Sequence, residues 1–127
     1  MLGRIVRPAL ARGEQVFLIG DLNERLDDKD TAESLASLTK PALMDMSSGN
    51  AAAMLLSDMD DTIALAGARR KGPFRSFRGW GRDVPKSRID YILVAPEVAV
   101  LRHETIMDRY EGHFPSDHCP VMAEVEF

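Results

Sequence analysis

The chain has 127 residues, 45% hydrophobic and 28% charged, with a net charge of −4. This fits one globular domain, expected to span 1–127, and excludes a disordered polypeptide. The acidic balance disfavours broad sequence-independent binding to nucleic acid, and no apolar run of about 18 residues is available for a membrane span.

Residues 1–12 place Leu2, Ile5, Val6, Ala9 and Leu10 at helical spacing, and Pro8 is expected to interrupt any long helix. Arg4, Arg7 and Pro8 leave no continuous apolar stretch for a signal peptide. With a single cysteine, Cys119, a disulfide framework is excluded and a reducing, cytoplasmic setting is expected. Gly13 is a natural helix stop. Val16–Ile19 then reads as a short strand buried on both faces, broken by Gly20.

Asp30, Thr31 and Glu33 resemble a helix start, with Ala32, Leu35, Ala36 and Leu38 as the apolar face and Pro41 as its end. Residues 47–73 carry no clear pattern beyond a turn or two of helix at Ala51–Leu56 and a loop from Gly67 to Pro73. Ile89–Val94 predicts a second buried strand ended by Pro96, and residues 98–106 a weaker third. Val121, Ala123, Val125 and Phe127 alternate with polar or half-polar neighbours, the pattern of a half-buried strand. Strands interleaved with helix predict an α/β fold.

Charge is segregated along the chain. Residues 69–88 hold eight basic residues and one acid, whereas 21–61 hold ten acids and three basic residues. Two solvated loops would explain this. So would an anion-facing loop beside a cation-binding acidic site, as a phosphate ester with a divalent metal requires.

Three stretches could carry chemistry. Gly20-Asp21-Leu22-Asn23 follows a buried strand, where α/β sheets display reactive groups. Asp21 could orient or deprotonate a water and Asn23 could hold a phosphoryl oxygen, or both could simply build a turn. Asp90 lies in an otherwise apolar strand, costly to bury without a partner unless it faces outward. Ser116-Asp117-His118 precedes the last strand, and a histidine held by a carboxylate such as Asp90 can act as acid, base or charge stabiliser; the alternative is an unpartnered loop. Trp80 could stack on a substrate ring or plug the core edge. His103 and His113 read as ordinary surface or strand residues, and Cys119 as a buried inert thiol.

In order, VFLIGDLN, SRIDYILV and PSDHCPVMAEV resemble the C-terminal half of the endonuclease/exonuclease/phosphatase superfamily, the DNase I-like metal-dependent phosphoesterases. The segment Ser76-Phe77-Arg78-Gly79-Trp80 resembles the loop before the Ile-Asp-Tyr strand in bacterial members, where histidine often occupies the Arg78 position. The resemblance covers about residues 15–127. It implies the C-terminal half of a four-layer α/β sandwich, with a mixed sheet and flanking helices. It also implies in-line attack of water on a phosphoester, with Mg²⁺ or Mn²⁺ as Lewis acid.

By this resemblance Asp21 activates the water, Asn23 holds the scissile phosphate, His118 stabilises the transition state and Asp90 orients His118. Asp117 and Asp21 contribute to the metal site, and Arg78 and Trp80 to substrate binding. The family's first half, with its metal-binding glutamate, has no counterpart in these residues. Weak metal binding and impaired turnover are therefore expected, together with an open sheet edge that could pair with a complementing half or a second copy. The alternative is a non-catalytic domain that binds a partner or self-associates.

Overall fold

The structure is a computed structural model that describes residues 3–22 and 58–127. Asn23, the expected helix at 30–41 and the turn at 51–56 lie outside the described residues. The elements run α1 (Gly3–Ala11), β1 (Phe17–Asp21), β2 (Asp60–Asp61), α2 (Thr62–Ala66), a 3-10 turn (Gly67–Arg69), β3 (Arg70–Lys71), β4 (Asp90–Val94), β5 (Ala99–Thr105) and β6 (Val121–Glu126). The described strands form two three-stranded sheets, ordered β1-β4-β2 and β3-β5-β6. This is the expected α/β class. No helix among the described residues is long and apolar enough to cross a membrane.

α1 continues through Pro8, which removes one backbone donor without ending the helix. Its inner face compensates: Val6 is buried with Met59, Tyr91 and Leu93, and Leu10 packs against the same group. Gly13, at φ +73°, closes the helix in the left-handed conformation that glycine adopts without strain, and its N–H donates to the Leu10 carbonyl.

β4 is the central strand of its sheet and is buried on both faces, as its apolar run predicts. Tyr91 and Leu93 face the α1 side, whereas Ile92 and Val94 join Ala95, Val98 and Val100 against the second sheet. Each such side chain contributes roughly 1.5–3 kcal/mol, so β4 is a rigid base for what it displays at its ends.

β1 departs from expectation. It pairs antiparallel with β4 but lies at the edge of the described sheet, and its exposure alternates. Leu18 packs on the core, whereas Ile19 is 66% exposed and Phe17 meets only the rim, its ring 5.5 Å from that of Phe127. The apolar run correctly marks a strand; whether its second face is covered depends on neighbours that the run does not reveal. β6 pairs antiparallel with β5 and turns Val121, Ala123 and Val125 inward, as the alternation predicts.

The basic stretch 69–88 divides between core and surface. Arg88 is buried against Asp61 at 2.7 Å, and its guanidinium lies over the Tyr91 ring at 4.3 Å. Asp61 also caps α2, accepting from the Ile63 N–H. His103 is a strand residue, one of the two readings given for it, and a buried one. It is 2% exposed, its Nδ1 lies 2.9 Å from Thr62 Oγ1, and burial foremost pushes its pKa down to about 4.

Candidate active site

Antiparallel pairing sets the first relationship of the site. Asp21 ends β1 and Asp90 begins β4, and the register places them opposite each other. Both carboxylates therefore emerge at the same end of the sheet. The approach to β6 brings in His118 from a distant part of the sequence. Its backbone bridges Phe77, and its ring stands edge-on to the Phe77 ring at 5.0 Å.

His118 Nδ1 lies 2.9 Å from Asp90 Oδ2 and 3.1 Å from Oδ1. A carboxylate only accepts, so this pairing assigns the proton to Nδ1 and turns Nε2 outward. Nε2 in turn faces Asp21 Oδ2 at 4.0 Å. Burial alone would lower the imidazole pKa. The hydrogen bond to Asp90 and the charges of Asp90, Asp117 and Asp21 together outweigh it and hold the pKa above its ordinary value.

Ser76, which begins the loop segment that resembles the family but is given no role by the sequence, organises this pair. It is 1% exposed. Its hydroxyl donates to Asp90 Oδ2 at 2.6 Å and accepts from the Asp90 N–H at 3.2 Å. Its carbonyl accepts from the Cys119 N–H. One residue thus ties the strand bearing the carboxylate to the segment bearing the histidine. Ser116 adds a second tie, its Oγ accepting from the His118 N–H at 3.0 Å.

Asp21, Asp90 and His118 present ligand atoms that all lie within 4.8 Å of one another. Two carboxylates and an imidazole are a donor set that suits a divalent cation. Asp117 does not belong to this group. Its carbonyl accepts from the Arg78 and Gly79 N–H groups, and its charge acts on His118 from the flank.

The two residues expected to bind substrate have different fates. Arg78 is 2% exposed; its guanidinium donates to the Ser116 carbonyl and lies 3.5 Å over the Phe114 ring. It braces the loop that carries Asp117 and His118, and it also lines the cleft in which Trp80 stands. Trp80 is 73% exposed, so it does not plug the core edge. Cys119 is buried, and burial pushes its thiol up.

No curated protein matches the chain in sequence. Among solved structures, it is similar to a functionally unknown conserved protein from Enterococcus faecalis V583, with 25% identity and a TM-score of 0.69; the match covers 98% of this chain and 41% of that one. It is also similar to an endonuclease/exonuclease/phosphatase from Bacteroides vulgatus, at 26% identity and TM-score 0.61, covering 98% of this chain and 41% of that one. A mannosyl-6-phosphatase from Bacteroides thetaiotaomicron VPI-5482, at 20% identity and TM-score 0.63, shares the fold over 99% of this chain and 43% of its own. The chain thus spans about two fifths of the length of these structures. The model of the Endonuclease/Exonuclease/phosphatase family matches residues 2–118, and the chain belongs to that family.

Proposed function

We propose that the chain carries hydrolytic machinery for phosphoesters. The observation behind this reading is the line Asp90–His118–Asp21, in which one carboxylate holds Nδ1 and a second faces Nε2. His118, its pKa raised by its carboxylate neighbours, donates from Nε2 to a phosphoryl oxygen as negative charge grows there. Asp21 takes the proton of a water attacking phosphorus in line with the leaving oxygen. Asp90 fixes the ring. Asn23 enters this reading through the family resemblance alone, as a donor to the phosphate.

A divalent cation, Mg²⁺ or Mn²⁺, supplies Lewis-acid stabilisation of the phosphate oxygens when bound. Asp21 and Asp90 are the described carboxylates suited to hold it. Mg²⁺ demands near-octahedral oxygen coordination, and one of these carboxylates is already bonded to His118; weak binding follows. The second reading, a non-catalytic domain that self-associates, draws on the exposure of Phe17, Ile19 and Phe127 along the edge strands. The pairing of Asp90 with His118 favours catalysis, because a scaffold has no use for an imidazole oriented between two carboxylates.

The test is hydrolysis of bis-p-nitrophenyl phosphate with Mg²⁺ or Mn²⁺, with and without EDTA. Asp21→Ala and His118→Ala are each expected to lower the rate by about 10²-fold or more. Activity that both substitutions leave intact ends the assignment.

A further inference from the structure

The loop 78–83 and the loop 109–114 enclose a cleft of about 370 Å³. This is within the range of small-molecule sites. Its wall is tied to the residue before His118: the Arg78 and Gly79 N–H groups donate to the carbonyl of Asp117. Trp80 stands in it between Gly79 at φ +71° and Gly81 at φ +74°. That backbone, open to glycine, turns the indole outward instead of into the core.

The rest of the lining is cationic and planar. Phe114 is held between two guanidiniums, Arg78 at 3.5 Å and Arg109 at 4.3 Å from its centroid. Among the described residues the one lining carboxylate, Asp83, is bonded to Arg109 at 2.7 Å. Arg82 has no ion-pair partner among the described residues, and its guanidinium reaches back over Gly79. His113 and the paired Asp83 complete the polar side-chain lining. A flat ring with acceptors on its rim meets both demands of the lining: a face for the indole and lone pairs for a guanidinium fork.

We propose that this cleft is the leaving-group subsite and takes a purine, stacked on Trp80 with its acceptor edge on Arg82. As a leaving-group site it rests on the hydrolytic reading above; as a purine site it does not.

Trp80 is the chain's single tryptophan, so its fluorescence reports this cleft alone. Titration of the full chain with guanosine 5′-monophosphate is expected to quench it saturably. Ribose 5-phosphate, which lacks the base, is expected to bind at least about fivefold more weakly, the low end of what base stacking contributes. Arg82→Ala is expected to weaken guanosine 5′-monophosphate by about fivefold or more, with little recovery in Arg82→Lys, because an ammonium lacks the fork. Both Trp80 and Arg82 are exposed, so far-ultraviolet circular dichroism should be unchanged. Absent quenching, equal affinity for the two phosphates, or indifference to Arg82→Ala overturns the subsite. Quenching that persists in His118→Ala supports it independently of turnover. Selective quenching together with hydrolysis that Asp21→Ala and His118→Ala both leave intact ends the leaving-group role and the hydrolytic reading, and leaves a purine site. Hydrolysis without base preference ends the subsite alone.

Discussion

His118 Nδ1 sits 2.9 Å from Asp90 Oδ2, joining two residues 28 positions apart in the chain. This bond sets the tautomer and the orientation of the imidazole together and raises its pKa. Asp90→Asn keeps the shape and removes the charge. The largest pull upward on the His118 pKa then disappears, while burial still lowers it. NMR titration of His118 is expected to show a lower pKa in the variant, and phosphodiester hydrolysis should fall by about 10²-fold or more. An unchanged titration would remove Asp90 from its role.

Ser76 acts on the site through Asp90. Its Oγ donates to Oδ2 and accepts from two backbone N–H groups, those of Ile89 at 3.4 Å and Asp90 at 3.2 Å. Ser76→Ala leaves these groups short of a partner in a buried setting, at a cost of about 1–3 kcal/mol. Urea unfolding should show that loss. The same variant should lower kcat with little change in KM, because Asp90 loses its anchor while the substrate cleft is untouched; Ser76→Thr is expected to recover part of both.

The parts of the site that were legible in the sequence are those where burial conflicts with chemistry. Asp90 stands out because an acid in the run Ile89–Val94 needs a reason, and the reason is His118. Asp21 stands out because it ends a strand. Ser76 does not stand out: a serine in a loop carries no sign that its hydroxyl will meet a carboxylate fourteen residues on. Nor does the inward turn of Arg78 and Arg88, since their partners, Ser116, Phe114 and Asp61, come from other elements. The strand read at Val16–Ile19 was legible as a strand, although it runs on through Gly20, the expected break, to Asp21, and β4 and β6 were legible as one doubly and one half buried. The exposure of Ile19 was not, because apolar composition records what can be buried and is silent on what covers it.

Arg88 and Asp61 form an ion pair with side chains 3% and 6% exposed. Removing one partner strands the other charge in the core. Arg88→Ala is expected to cost about 3–5 kcal/mol, measured by denaturant unfolding. Arg88→Met with Asp61→Asn should recover much of it, since Asn still offers an acceptor for the Ile63 N–H that Asp61 caps. A double variant no better than Arg88→Ala would show that the cost is lost packing on Tyr91 and not a stranded charge.

Two histidines give stability opposite dependences on pH. His103 is held neutral, with a pKa of about 4 against an ordinary 6.5. Between those values the unfolded chain binds the proton and the folded chain does not, so stability falls as pH drops from 6.5 towards 4, by up to about 3 kcal/mol. His118 is raised above 6.5. Its contribution is complete below 6.5 and is lost as pH rises through the folded value; with the side chain 30% exposed, solvent screening keeps it small. The acid limb should therefore dominate. His103→Gln, which keeps a partner for Thr62, is expected to flatten thermal stability between pH 6.5 and 4, whereas Asp90→Asn is expected to flatten only the shallow decline above pH 6.5. An acid limb that His103→Gln leaves unchanged would assign it to carboxylates instead.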